Sequence, residues 1–131
     1  MPLGRSDGAR IELTIVLPNG CHLEQIDIRL IETIRSCHSI SGAGRLLDIS
    51  YRKTWRMVNA LNLVFSSRVI NTFPGRHDGG AEVTPFGERL VAVFRSMERR
   101  SNTATAAAME ELIASLNRDC IAEPAAETRS A

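Results

Sequence analysis

The chain is poor in the residues that advertise chemistry. It has one tryptophan, one tyrosine, four phenylalanines, three cysteines and three histidines among 131 residues. Cys21, Cys37 and Cys120 are widely spaced and odd in number, so they outline neither a disulfide framework nor a zinc site with His22, His38 or His77. His22 follows Cys21 and His38 follows Cys37, but adjacent helical residues point about 100° apart, a poor metal clamp. Reduced thiols in a cytoplasmic protein is the expectation. No run of roughly 18 apolar residues occurs, which excludes a membrane-spanning helix. The N-terminus MPLGRSDGAR lacks the apolar core of a secretion signal. There is no GxSxG, P-loop or HExxH, and the glycines of Gly42-Ala43-Gly44 fall in a helix pattern. Catalysis is not expected, nor is a cofactor.

Hydrophobic content of 44% and charged content of 24% suit one globular domain with an ordinary core. Net charge is only +1, but it is unevenly placed. Residues 45–80 hold Arg45, Arg52, Lys53, Arg56, Arg68 and Arg76 against Asp48 and Asp78. Residues 101–131 hold Arg118 and Arg129 against Glu110, Glu111, Asp119, Glu123 and Glu127. A basic middle and an acidic end fit a phosphate-facing surface followed by a segment that avoids DNA.

Periodicity supplies the elements. The near-alternation of IELTIVL at 11–17, closed by Pro18-Asn19-Gly20, predicts an edge strand and turn. Ile26, Ile28, Leu30, Ile31 and Ile34 predict a core helix over 24–37, with 27, 30, 31 and 34 as its stripe. Ser39 or Ser41 can cap a short helix to Leu47 with Ala43, Leu46 and Leu47 inward. Asp48-Ile49-Ser50 breaks the pattern: Ile49 can plug the core, and Ser50 can cap a helix over 51–64. On that helix Thr54, Met57, Val58 and Leu61 form a buried stripe, while Arg52, Trp55, Arg56 and Asn59 share the other side. Two short helices joined by a tight turn, the second basic on its outer face, are the organisation of a helix-turn-helix.

Residues 68–73 and 81–84 predict a β-hairpin with a long polar tip, a wing. Thr84-Pro85 then starts a helix, Thr84 at the N-cap and Pro85 at its first position, expected to run to about Leu116 with a bend or interruption at Ser101-Asn102-Thr103. Its apolar residues Leu90, Val91, Phe94, Met97, Met109, Leu112, Ile113 and Leu116 exceed what so small a domain can cover, so a partner chain is the expected cover. The expected fold class is therefore mainly α with a small β wing: a flexible 1–10, a winged helix-turn-helix over 11–84, a long dimerisation helix over 85–116, and a disordered acidic tail over 117–131.

Candidate DNA-contacting residues follow. Arg52, Lys53 and Arg56 can donate to guanine O6 and N7, and Asn59 can pair with adenine. Tyr51 and Trp55 can pack on thymine methyls or sugars, although a lone tryptophan is as often core. Ser39, Ser41 and Ser50 are placed to hold phosphates, and Arg76 and His77 at the wing tip to reach adjacent backbone.

These same residues carry a family resemblance. SISGAGRLLDISYRKTWRMVNALN at 39–62, followed by GGAEVTPFGERLV at 79–91, resembles the N-terminal DNA-binding domain of ModE-type molybdenum-dependent transcriptional regulators, and more widely the LysR-type winged helices. The matching positions are Ser39-Ile40-Ser41 with Ala43, Ile49-Ser50-Tyr51 with Trp55 and Asn62, and Gly79-Gly80 with Val83-Thr84 and Gly87. The similarity spans about residues 22–116. It implies a homodimer joined through the long helix, a palindromic operator, and a recognition role for Ser50, Tyr51 and Arg52, the last in place of the family's usual Lys. Two recognition helices would then sit about 34 Å apart. Three departures are expected to matter. Gly44 replaces an Ala, loosening the first helix by up to about 1 kcal/mol. Asp48 replaces the turn Gly. The chain also stops where the molybdate-binding domains of full-length regulators begin, so molybdate binding is not expected. The alternative is a winged-helix interaction module that modulates another regulator.

Overall fold

The computed structural model describes residues 8–73 and 80–122. It separates into two units, one of Ile11–Ser101 and one of Asn102–Ala131 with Met1–Arg10.

The first unit opens with a minimal hairpin, β1 (Ile15–Val16) against β2 (His22–Leu23), antiparallel with Ile15 opposite Leu23. The strand expected over 11–17 is thus only two residues long, and it pairs with a second strand too short to leave a mark in the sequence pattern. Gly20 makes the turn at φ 89°, where a side chain is disfavoured, and Asn19 Oδ1 accepts from the Cys21 amide at 3.0 Å. Helix α1 (Gln25–Cys37) follows, the Glu24 amide donating to Asp27 Oδ2 at its start. It ends at His38, whose left-handed φ of 54° lets its amide reach Ile34 O. Ile28, Leu30, Ile31 and Ile34 are buried, a broader face than the expected stripe, because α1 packs on both α2 (Ile40–Leu46) and β4 (Ala81–Val83).

Helix α2 places Ile40, Ala43 and Gly44 inward. Leu46, expected inside, is 70% exposed. In a seven-residue helix the inward face is set by Ile40, Ala43 and Gly44, and Leu46 lies about 115° from their mean direction. The turn into α3 (Tyr51–Val64) passes through Asp48 at φ 60°, and the Ile49 amide folds back to Gly44 O at 2.8 Å. Ser50 caps α3, accepting from the Lys53 amide at 3.1 Å, and Thr54, Val58 and Leu61 are buried.

A second antiparallel pair, β3 (Ile70–Thr72) with β4, forms the wing in the register Ile70–Val83, Asn71–Glu82 and Thr72–Ala81. Gly80 forms a bridge with Ser39, and the Ala81 amide donates to His38 O at 3.1 Å, so the return strand is also tied to the α1–α2 junction.

Helix α4 (Pro85–Ala104) begins as its sequence requires. Thr84 Oγ1 accepts from the Gly87 amide at 2.9 Å while donating to Arg68 O at 2.7 Å. Gly87, Leu90, Val91 and Phe94 form its buried face. A Cβ on Gly87 would come within 2.5 Å of Val69 O, so glycine is what lets α4 lie against the root of the wing. Arg95 pins α4 to α1, bonding Glu32 at 2.8 and 3.0 Å, Glu98 at 2.7 Å and Gln25 at 3.1 Å, and Gln25 also bonds Glu98.

The interruption expected at Ser101-Asn102-Thr103 falls two residues later. Helical geometry persists through Ser101-Asn102-Thr103 and lapses at Thr105, a β-branched residue and a poor helix former, before α5 (Ala106–Ala114) resumes. In the second unit α5 buries none of its residues. Residues 117–122, expected to be disordered, include a turn in which the Asn117 side chain accepts from the Asp119 amide at 3.0 Å. The remainder of the expected acidic tail, 123–131, lies outside the described residues, as do residues 1–7 of the expected flexible N-terminus.

Candidate nucleic-acid interface

Helix α3 sets two different surfaces back to back. Its inner side is held by Thr54, Val58 and Leu61. Its outer side presents Arg52, Lys53, Arg56 and Asn59, all exposed, with Tyr51 67% exposed at the first turn. The stripe continues to Leu63, 83% exposed, a residue not singled out in the sequence. Arg45, exposed in the last turn of α2, adds a fourth cation.

Among the described residues none of Arg45, Arg52, Lys53 and Arg56 has a carboxylate within ion-pair distance. Arg35 and Arg95, by contrast, are paired on α1 and α4: Arg35 to Glu88 at 2.7 Å, Arg95 to Glu32 and Glu98. Two carboxylates hold the Arg95 guanidinium even more firmly protonated than usual, and the hydrogen bond from Arg95 lowers the Glu32 carboxyl. Charge is neutralised where helices pack and left uncompensated along α3. The only acid in the α2–α3 turn is Asp48, exposed. An exposed row of cations on a well-anchored helix can meet a polyanion without first breaking internal ion pairs.

The other expected DNA-facing residues divide. The Ser50 side chain is exposed but serves as the cap of α3. Ser39 Oγ accepts from the Gly42 amide at 2.8 Å as the cap of α2 and sits 3.5 Å from Ser41 Oγ; both serines are half-buried. Trp55 lies on the border of the outer face and packs on the core, its ring edge-on to Tyr51 at 6.4 Å. Its indole Nε1 is buried with no acceptor among the described residues, so Trp55 acts first as a wedge supporting Tyr51 and is not free to reach bases through that nitrogen. Arg76 and His77 lie outside the described residues.

The expected dimerisation seam also divides. Leu90, Val91 and Phe94 are 9%, 5% and 0% exposed, so they belong to the chain's own core and not to a partner. Leu90 and Phe94 line one apolar cavity with Ile15, Leu17, Leu23 and Phe65, while Gly87 lets the start of α4 lie against the wing root. Met97, Leu112, Ile113 and Leu116 are exposed, and Met109 is half-buried.

Sequence reasoning assigns no structural task to Asn62. Its Oδ1 accepts from the amides of Val69 at 2.8 Å and Ile70 at 3.0 Å, and its Nδ2 donates to Ile70 O at 3.0 Å. It joins the last turns of α3 to the first strand of the wing. A lone asparagine on a half-buried helix face gives no local signal of this, since its partners lie seven and eight residues on.

Gly44, expected to loosen α2, is instead where α2 and α3 touch. A Cβ there would overlap the Thr54 hydroxyl and lie 3.1 Å from Thr54 Cβ. The three cysteines are unbridged, Cys37 donating to Ser39 O at 3.4 Å. No group of His, Cys, Asp and Glu side chains among the described residues could hold a metal ion, and no helix there is long and apolar enough to cross a membrane.

No protein-family model matches the chain. It is similar to curated ModE proteins. It is 34% identical over 80 residues to the molybdenum transport protein ModE of Azotobacter vinelandii, a match covering 60% of this chain and 30% of that one. It is 30% identical over 96 residues to the transcriptional regulator ModE of Haemophilus influenzae, covering 72% of this chain and 37% of that one. The chain thus matches about a third of the length of these relatives. Among solved structures it is similar to the BenM DNA-binding domain in complex with catB site 1 DNA, at a TM-score of 0.48 and 19% identity, covering 72% of this chain and all of that one.

Proposed function

We propose that this ModE-like winged-helix protein is a sequence-specific DNA-binding transcriptional regulator that reads a palindromic operator as a homodimer. The observation that carries the reading is the outer face of α3, where Arg52, Lys53 and Arg56 are exposed and uncompensated on a helix whose other face is core. A helix presented in this way fits the major groove, which is about 12 Å wide. Arg52 and Arg56 would donate to guanine edges, Asn59 would pair with adenine, and Lys53 and Arg45 would meet phosphates. Tyr51, held edge-on by Trp55, offers its ring to a thymine methyl or a sugar. Arg76 and His77 are proposed to meet the backbone beside the groove. The homodimer is proposed to use the exposed apolar side chains Met97, Leu112, Ile113 and Leu116 with Met109, which single molecules in water leave uncovered. Its place of work is proposed to be the cytoplasm.

Selection of bound duplexes from a random-sequence pool, followed by titration over a salt series, tests this. The expected result is a two-fold-symmetric consensus and an affinity that falls steeply with salt, log K changing by about 0.9 per log unit of salt for each phosphate met. Arg52→Ala with Arg56→Ala should lower affinity at least about 30-fold, on the basis of about 1–3 kcal/mol per base-reading arginine. Binding indifferent to both salt and the double substitution would overturn the reading in favour of a protein-interaction module.

A further inference from the structure

We infer that Asn62 is a positioning residue that makes the recognition helix and the wing a single reading unit; the inference rests on the DNA-binding function proposed above. The wing is a weak element by itself, two strands of three residues each. Such a ribbon is marginal in water and takes its orientation from what grips its ends. The return strand is gripped by the α1–α2 junction through the Ser39–Gly80 bridge and the bond from the Ala81 amide to His38 O. The outgoing strand is gripped by α3 through one side chain. Asn62 accepts from two successive buried amides, Val69 and Ile70, and returns a bond to Ile70 O. On the far side of the same joint, Thr84 donates its amide to Val69 O at 3.0 Å, and its hydroxyl, which donates to Arg68 O at 2.7 Å, also lies 3.2 Å from Val69 O. The root of β3 therefore has no unassigned polar group through which to slide.

The amide group is suited to this because it offers an acceptor and a donor about 2.3 Å apart in one plane. The oxygen, holding two successive amides, fixes the position and the rotation of the strand relative to the helix axis, and the donor bond to Ile70 O adds to its hold. Asn62 sits three residues beyond Asn59, the last polar residue of the outer face, and on the side of the helix turned to the wing. A rotation of the wing about its root would leave α3 seated in the groove but carry the wing off the flanking backbone. Asn62 touches no base in this arrangement. It sets how many base pairs lie between the groove contact and the flank contact.

The test is hydroxyl-radical footprinting at saturating protein, using the duplex selected by the wild-type chain. Two variants are compared. Asn62→Ser is too short to span the joint, but it leaves space for a water to satisfy the two amides, which preserves folding. Asn62→Asp keeps both acceptor bonds. Emission from Trp55, the single tryptophan, reports whether α3 is still packed. The expected result for Asn62→Ser is retained protection in the central groove and none at the flanks. Its affinity should fall about tenfold, with the salt slope smaller by about 1 for each phosphate that the wing no longer meets. Asn62→Asp should keep the flank protection. A footprint that is unchanged in Asn62→Ser, or weakened evenly across its length, overturns the inference while leaving the DNA-binding function standing. Disappearance of the flank protection in Asn62→Asp overturns it as well. If the wild-type chain selects no duplex, the function itself fails and the inference with it.

Discussion

Replacing Gly44 with alanine sets two opposed effects against each other, and the structure decides which prevails. In an isolated helix the substitution stabilises by about 1 kcal/mol, because alanine restricts the unfolded backbone and favours helix. Here the new methyl would overlap the Thr54 hydroxyl and stand 3.1 and 3.2 Å from Thr54 Cβ and Cγ2. Thr54 is fully buried and β-branched, so its side chain cannot swing away without driving another branch into the same space. Its hydroxyl also donates to Ser50 O at 2.7 Å, a bond that any rotation breaks. Overpacking costs about 1–3 kcal/mol and a broken hydrogen bond about 0.5–1.5 kcal/mol. Set against the gain of about 1 kcal/mol, the net expectation is destabilisation by about 2 kcal/mol, or roughly 10 °C in a domain near 100 residues. Urea denaturation followed by Trp55 emission measures it. A double-mutant cycle isolates the cause: Gly44→Ala with Thr54→Ala should be more stable than the sum of the single effects by at least about 1 kcal/mol. A Gly44→Ala protein as stable as wild type, or additive effects in the cycle, would refute the argument.

Asp48 holds φ at 60° in the exposed α2–α3 turn, so Asp48→Gly is expected to raise stability by up to about 1 kcal/mol, the relief of left-handed strain being partly offset by a more flexible unfolded chain. It also removes the one acid beside the basic face, so thermal melting and DNA titration should both move toward tighter behaviour. The Arg95 cluster gives a pH signature. The Glu32 carboxyl is held below its usual value of 4.5 by the hydrogen bond from Arg95, so its contribution is fully present above pH 4.5 and is lost as pH falls further. Asp27 opposes it in part, since burial raises its carboxyl above 3.8 and makes protonation of the folded state easier. Arg95→Gln should therefore flatten the acid limb of the stability profile below pH 4.5, and an unchanged limb in acid denaturation would count against the pairing.

The winged helix itself was legible from periodicity and caps. Ser50 before the Thr54, Val58 and Leu61 stripe, and Thr84-Pro85 before Leu90, Val91 and Phe94, are local signals whose meaning does not depend on the rest of the fold. Bounds for α3 and the start of α4 followed from them. The basic face of α3 was legible for the same reason, as the complement of an apolar stripe.

What depended on neighbours distant in sequence was not legible. An apolar stripe says that a face is covered and not by what, so Leu90, Val91 and Phe94 read equally well as a dimer seam and as a core. Gly44 reads as a weak helix residue until Thr54 is found in the space its side chain would fill. Trp55 sits between two stripes, and only packing shows that its indole nitrogen faces inward. Asn62 matches a motif position, but nothing near it in sequence shows which strand it holds. Sequence by itself determined where helices start and which faces are apolar or charged, because capping and amphipathicity act within a few residues. Tertiary structure decided which apolar face belongs to this chain's own core and how the wing is tied to α3, because close packing and buried hydrogen bonds are relations between segments that no single segment contains.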